Sequence, residues 1–344
     1  MIKKLTEANI ETGVIKWISD FLSNRLQCVV IDNIISPPIA VKSGVPQGSV
    51  LGPLLFLLYI NDIHVNIQST IRLFADDCVI YRTISSPSDS ALLQADLDKI
   101  SLWCVDWQMQ INTDKTKHMT FTTKTNTPEH TYQINGADIE KVKSFKYLGV
   151  HLTVDLSWKL HIETILRNAN QTLGFLRRNL FLSDTKTKLM AYTSLVRSKI
   201  EYASVIWNPH QAYLVNELES LQNKAARFIT RNYSTTCSIT SIKESLNLES
   251  LESRRRVARF SLFHKIYHSS TPFRQTHIVP ANRIFPRLDH PNKVTPIFAR
   301  TNLYKYSPFN LAVSEWNALP YDIAVTRDYQ SFLNLLIPFI SQKT

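Results

Sequence analysis

The 344 residues suffice for two or three domains with a real core, and 44% hydrophobic against 19% charged content excludes a disordered chain. The formal net charge of +11 is uneven: residues 1–150 hold 14 Lys+Arg against 15 Asp+Glu, and residues 151–344 hold 25 against 13. The basic second half fits either a polyanionic partner or a solvated basic face, and the longest apolar run, Val50 to Ile60, is too short to span a bilayer.

In chain order, Leu5 to Leu22 reads as a helix, with Ile10, Val14, Ile15, Ile18 and Leu22 at three- and four-residue steps. Gln27–Ile31 and Ile39–Val41 read as short strands around Asp32-Asn33 and Ser36-Pro37-Pro38. A loop punctuated by Pro46, Gly48, Gly52 and Pro53 leads into the apolar run Leu54–Ile60. Gly48 permits close backbone approach there, and Gln47 offers an amide at the loop tip. Next comes a strand, Ile71–Ala75, an acidic tip, Asp76-Asp77, and a second strand, Cys78–Tyr81. On a continuous strand the two carboxylates would point to opposite faces, so they share an ion only if the chain turns between the runs. An all-oxygen tip suits Mg²⁺ better than zinc.

Ser88 to Leu102 reads as a helix capped by Ser88-Asp89, and Met119–Phe121 as a strand. A polar loop and a short strand are expected over residues 122–137. Between the helix and Met119 lies Ile111–Lys117, whose Lys115 could be an ordinary turn lysine. Phe145–Val150 follows, its Gly149 open to close backbone approach. From Trp158 onward the period is helical, with further helices over Lys186–Ile200, Val215–Ile229 and Leu248–Tyr267. Lys224, Arg227 and Arg231 recur at helical or near-helical steps, and Arg254, Arg255, Arg256 and Arg259 are denser still. Charges so placed suit phosphate contacts that read no sequence. A stretch with Pro272, Pro280, Pro286, Pro291 and Pro296 reads as a linker to a C-terminal region. Cys28, Cys78, Cys104 and Cys237 form no C-x-x-C pair, so a reducing, intracellular compartment is expected, with no disulfide framework or zinc knuckle. Cys78 reads as a small packed residue. Lys3, Lys4 and Glu7 precede any apolar stretch, and no signal peptide is expected.

Gly44–Pro53 followed by Phe74-Ala75-Asp76-Asp77 resembles the reverse transcriptases of non-LTR (LINE, jockey-like) retrotransposons. Ile111–Lys117, Phe145–Val150, Glu201–Trp207, Leu221–Arg227 and Tyr306–Pro320 resemble later blocks of the same family. The resemblance implies an α+β fold. A truncated polymerase palm, an antiparallel sheet with helices, would occupy 1–153, a helical nucleic-acid-binding thumb 154–270, and a small C-terminal region 271–344. It implies RNA-directed DNA polymerisation on an RNA template and DNA primer, with deoxynucleoside triphosphates as substrates. Asp76 and Asp77 would ligand Mg²⁺, and Pro46, Gln47 and Gly48 would line the substrate floor. Lys115 would act on the leaving pyrophosphate, Tyr147, Leu148 and Gly149 would grip the primer, and Lys224, Arg227, Arg254, Arg255 and Arg256 would contact nucleic acid. The family's first acidic block would fall before Met1. Asp20, Asp32 and Asp62 do not stand in its context, Asp62 reading as a helix terminus. The expectation is a fragment inactive alone, with a non-catalytic nucleic-acid-binding remnant as the alternative.

Overall fold

The computed structural model describes residues 1–122, 124, 130–234, 236–285, 287 and 289–342. Part of the polar loop and short strand expected over 122–137, at 123 and 125–129, lies outside the described residues, as does Pro286. The chain forms two compact units, one from the described residues of 1–118 and 124–142, the other from those of 119–123 and 143–344. The architecture mixes helices with small sheets. Among the described residues every strand pairs with one other, antiparallel except for the parallel pairing of Lys117–His118 with Glu140–Lys141. Where an antiparallel sheet is expected of a truncated palm, the described strands form only two-stranded ribbons.

In the first unit the helix expected over Leu5–Leu22 is two, Ile2–Glu7 and Thr12–Leu22, because Asn9 turns left-handed at φ +55°. Leu5 and Ile18 still meet, and Leu55 of the apolar helix Leu51–Ile60 joins them. The spine is the helix Pro87–Asp106. It begins earlier than Ser88 because Asp89 reaches back to the backbone N–H groups of Ser85 and Ser86, at 2.9 Å each. Its Ile100 and Cys104 pack with Ile60 and Ile63 and support Ile71, Leu73 and Ile80 of the acidic hairpin.

Asp96 of this helix, 1% exposed, fixes where that hairpin starts. It accepts the N–H of Ser69 at 2.7 Å and of Gln68 at 3.1 Å, and Lys99 at 3.0 Å. Burial pushes its carboxyl up, but the bonds from Ser69, Lys99 and Gln68 outweigh burial and hold it below the usual range. Asp96→Ala strands buried donors and is expected to cost about 3 kcal/mol in urea unfolding. Because the folded pKa is depressed, the wild-type advantage should be complete above about pH 4 and fade as pH falls through the folded value.

In the second unit the helices Lys159–Asn179 and Ala212–Thr230 close one core, with Ile162, Leu173, Leu218 and Ala225 all buried. The segment expected as one helix over Lys186–Ile200 runs Thr185–Ala191, a π-helical turn Tyr192–Arg197, and Ser198–Glu201. The helix Leu251–His268 belongs to two cores. Leu251 packs into the first, while Phe260 and Phe263 pack with Trp316, Phe332 and Leu336 of the second. The C-terminal region is therefore built onto this helix, and the proline-rich stretch does not separate it from what precedes. Met119–Phe121, expected as a strand, is not one; the strand is Lys117–His118.

Candidate functional site

The acidic hairpin pairs Ile71 with Ile80, Leu73 with Cys78 and Phe74 with Asp77, which leaves Ala75-Asp76 as a two-residue turn. Such a loop needs positive φ at its first position, and Ala75 sits at +50°. An alanine there costs roughly 1–2 kcal/mol relative to a right-handed residue, strain of the kind held where a tip must keep one shape. Pairing sets the faces. Ile71, Leu73, Cys78 and Ile80 share the core side, while Asp77 shares the outer side with Arg72, Phe74, Val79 and Tyr81. The turn brings Asp76 next to Asp77 at the same tip. Both are exposed, and among the described residues neither carboxylate takes an ion pair or a side-chain hydrogen bond. Arg72, on the same outer side, instead donates to the Ile71 carbonyl at 2.9 Å.

Cys78 departs from the sequence reading. It is exposed rather than packed, because it lies beside the open tip. Part of the residue is open to solvent, but its side chain lies on the core side of the hairpin, and burial there, then Cys104, pushes the thiol up to about 11, which keeps it neutral rather than a nucleophilic thiolate.

The Pro46–Gly48 loop is held from both ends. Arg25, which no sequence pattern singles out, donates through Nη2 to the carbonyls of Ser43 at 3.1 Å and Gly44 at 2.6 Å. Ser49 Oγ donates to the Pro46 carbonyl at 2.8 Å and accepts the Gly52 N–H at 3.0 Å, closing the start of the apolar helix. Gln47 and Gly48 form the exposed turn between these anchors, with Gly48 at φ +81°. Gly48 is needed for that backbone angle, since a Cβ there would meet open space. Within the chain itself the close contact is at Gly52, whose added Cβ would lie 2.7 Å from the Pro46 carbonyl oxygen. Gly52→Ala should therefore push the loop off its helix at a cost of about 1–3 kcal/mol, read as a lower urea midpoint.

Lys115 sits exposed in a turn closed by its own N–H on Asn112 Oδ1 at 3.0 Å, and its ammonium makes no ion pair among the described residues. Loop, Lys115 and hairpin lie in the same unit, and no hydrogen bond or ion pair among the described residues links the first two to the carboxylates. Asp62 has a structural role. Lys4 binds it at 2.5 Å and also donates to the Tyr59 carbonyl. The Lys4 ammonium lies 3.9 Å from the Trp107 ring centroid, 4.5 Å from Trp103 and 4.8 Å from Tyr59.

In the second unit Ser144–Tyr147 pairs with Val150–Thr153 across the turn Leu148-Gly149, both residues at positive φ. Tyr202 lies on this turn. Its hydroxyl donates to the Leu148 carbonyl at 3.1 Å, and a Cβ on Gly149 would come within 2.9 Å of its ring. The space beside Gly149 is thus taken by an aromatic ring of the chain itself.

The arginine cluster corrects the sequence reading. Arg254 forks onto Glu201, with Nη2 to Oε2 at 3.0 Å, and that bond raises its pKa. Arg255 is 2% exposed and reaches Asn208 Oδ1 at 3.4 Å. Arg256 and Arg259 converge on Glu315, at 3.2 Å and 2.7 Å. A helix between two cores draws successive arginines into the protein's own polar contacts: Arg255 is buried, whereas Arg254 and Arg256 pair with carboxylates while keeping 33% and 30% of their side chains exposed. Arg227 donates to the Ser234 carbonyl at 2.9 Å, whereas Lys224 is exposed on the same helix.

Residues 1–152 match the family described as reverse transcriptase (RNA-dependent DNA polymerase). Over 304 residues, 83% of this chain and 32% of the relative, the sequence is 29% identical to a probable RNA-directed DNA polymerase from transposon BS of Drosophila melanogaster. It is 32% identical over 222 residues to the corresponding protein from transposon X-element of the same fly, covering 62% of this chain and 24% of that protein. It is 28% identical over 228 residues to the RNA-directed DNA polymerase from mobile element jockey, again 62% and 24%. The chain thus spans only a quarter to a third of the length of these relatives.

Proposed function

Because residues 1–152 match the reverse transcriptase family and the chain is similar to RNA-directed DNA polymerases of jockey-like mobile elements, we propose that it is part of such a non-LTR reverse transcriptase and that Asp76 and Asp77 are metal ligands of its polymerase site. The observation that carries this is the tip itself, where two adjacent carboxylates stand exposed and without a cationic partner among the described residues. Such a pair fits a hard divalent cation as two of its oxygen ligands, and Mg²⁺ is the ion of choice. When bound, the ion supplies neutralisation of charge on the triphosphate and its leaving group.

The chain's own residues do the rest. Pro46, Gln47 and Gly48 form a substrate floor, kept rigid by Arg25 and Ser49. Lys115, exposed and in no ion pair among the described residues, would meet the departing pyrophosphate as proton donor or as counter-charge. Tyr147, Leu148 and Gly149 form a turn that holds a primer end, with Tyr202 as its backing. The proposed division is a palm over 1–153, a helical thumb over 154–270 with Lys224 on its exposed face, and a C-terminal region over 271–344. Template RNA, DNA primer and deoxynucleoside triphosphates are the partners. The four free cysteines support a reducing, intracellular setting. No described helix is long and apolar enough to cross a membrane.

A second reading, a nucleic-acid-binding remnant without catalysis, draws on one further fact. Among the described residues no three His, Cys, Asp or Glu side chains gather to hold a metal. Primer extension on an RNA template, with and without an added upstream acidic block, separates the two readings.

A further inference from the structure

A cavity of about 390 Å³ opens in the second unit, lined by Gly174, Arg177, Arg178, Phe181, Phe228 and Tyr233. Its floor is Phe228, a core residue, while Phe181 and Tyr233 are 63% and 56% exposed. Arg177 and Arg178, on the last turn of the helix Lys159–Asn179, are exposed and meet no carboxylate among the described residues. Arg231 donates to the Phe181 carbonyl and holds its guanidinium 5.1 Å from the Phe181 ring centroid. Behind them lies Lys188, 1% exposed, its ammonium 5.3 Å from the Phe228 ring centroid. Burial, then the charge of Arg231, lowers the Lys188 pKa, and Asp184 opposes them. Asp184 is engaged elsewhere, capping the next helix through the Thr187 N–H at 2.8 Å. Arg177 and Arg178 thus line one aromatic hollow, Arg231 and Lys188 stand against its rings, and none of the four takes an ion pair among the described residues. A buried ammonium is costly unless a negative charge reaches it.

We propose that this hollow takes one unpaired nucleotide of a single-stranded polynucleotide, its base against Phe181 and Tyr233 and its phosphates against Arg177, Arg178 and Arg231. A solvated basic face needs no exposed rings. A duplex offers no free base face to a ring, whereas every unpaired base has one. The inference rests on the nucleic-acid reading above but not on the hairpin carboxylates, since stacking and phosphate contact need no metal.

The test is fluorescence anisotropy of the full chain with fluorescein-labelled oligo(dT), and with a labelled duplex, in a chelator. Phe181→Ala and Tyr233→Ala should each weaken oligo(dT) binding by about tenfold while duplex binding holds within about twofold. Arg177→Ala with Arg178→Ala should flatten the slope of log affinity against log salt by about 0.7 for each phosphate left without its arginine. Gly174→Leu fills the hollow and suits a helix, and it removes no charge, although its Cβ meets Arg178 Nη1 at 3.6 Å. It should weaken oligo(dT) while keeping the salt slope, with circular dichroism melting as the check on folding. Unchanged oligo(dT) binding in Phe181→Ala, Tyr233→Ala and Gly174→Leu would overturn the proposal, as would an equal loss on duplex. The polymerase reading fails separately, if primer extension by the chain joined to an upstream acidic block survives Asp76→Ala, a change that should not alter oligo(dT) binding.

Discussion

Residues 1–344 by themselves should extend no primer on an RNA template with Mg²⁺ and all four deoxynucleoside triphosphates. Phosphoryl transfer is catalysed almost entirely by positioning and by neutralising charge. A two-metal clamp holds its ions about 3.5–4 Å apart and needs carboxylates that bridge them. The tip offers two carboxylates, and Asp62, the nearest sequence rival, is tied to Lys4 inside an aromatic cage. Losing one well-placed electrostatic group costs roughly 10²–10³ in rate, so lacking a bridging ligand puts turnover below detection. Joining an upstream segment with an acidic polymerase block ahead of Met1 should give extension. Asp76→Ala in that fusion should lower the rate by about 10²–10³ or more, and Asp77→Ala likewise. Robust synthesis by residues 1–344 alone would move the catalytic carboxylates elsewhere, with exposed Asp20 and Asp32 the first to replace.

Glu315→Ala should be among the most destabilising single changes in the second unit. Glu315 joins two arginines of the helix Leu251–His268, and Arg259 is almost wholly buried. Removing the carboxylate leaves that guanidinium without its counter-charge, and breaking a buried pair from one side costs about 3–5 kcal/mol. Urea unfolding should show the loss as a lower midpoint at similar slope. The same geometry fixes what Arg254→Ala, Arg255→Ala and Arg256→Ala should do to nucleic-acid binding. The slope of log affinity against log salt should stay as in the unaltered chain, while stability falls. A flattened slope in a folded triple variant would return these arginines to the phosphate surface.

Local pattern was enough to set the frame. Two apolar runs around Asp76-Asp77 read as a hairpin and one forms, but its turn falls at Ala75-Asp76 and Asp77 joins the second strand opposite Phe74, a register set by which faces the core covers rather than by the acidic pair. The helices around Ile162, Leu218 and Phe260 follow from apolar residues at helical steps, since that spacing makes one face insoluble. Which side chains are free depended on packing between distant parts of the chain. Charge density on Arg254–Arg259 looks the same whether a helix faces solvent or lies between two cores, and the deciding partners, Glu201 and Glu315, are more than fifty residues away along the chain. Burial of strands was equally hidden. Val30, Ile31, Ile34 and Ile35 carry the pattern of a half-buried ribbon, yet each is more than half exposed, because pairing two residues at a time satisfies their backbone without covering their side chains. Glycine showed the same division. The need for a glycine at Gly48 is a backbone angle, which a turn sequence announces, whereas the need at Gly52 is a carbonyl oxygen brought close by Ser49, which only the folded loop reveals.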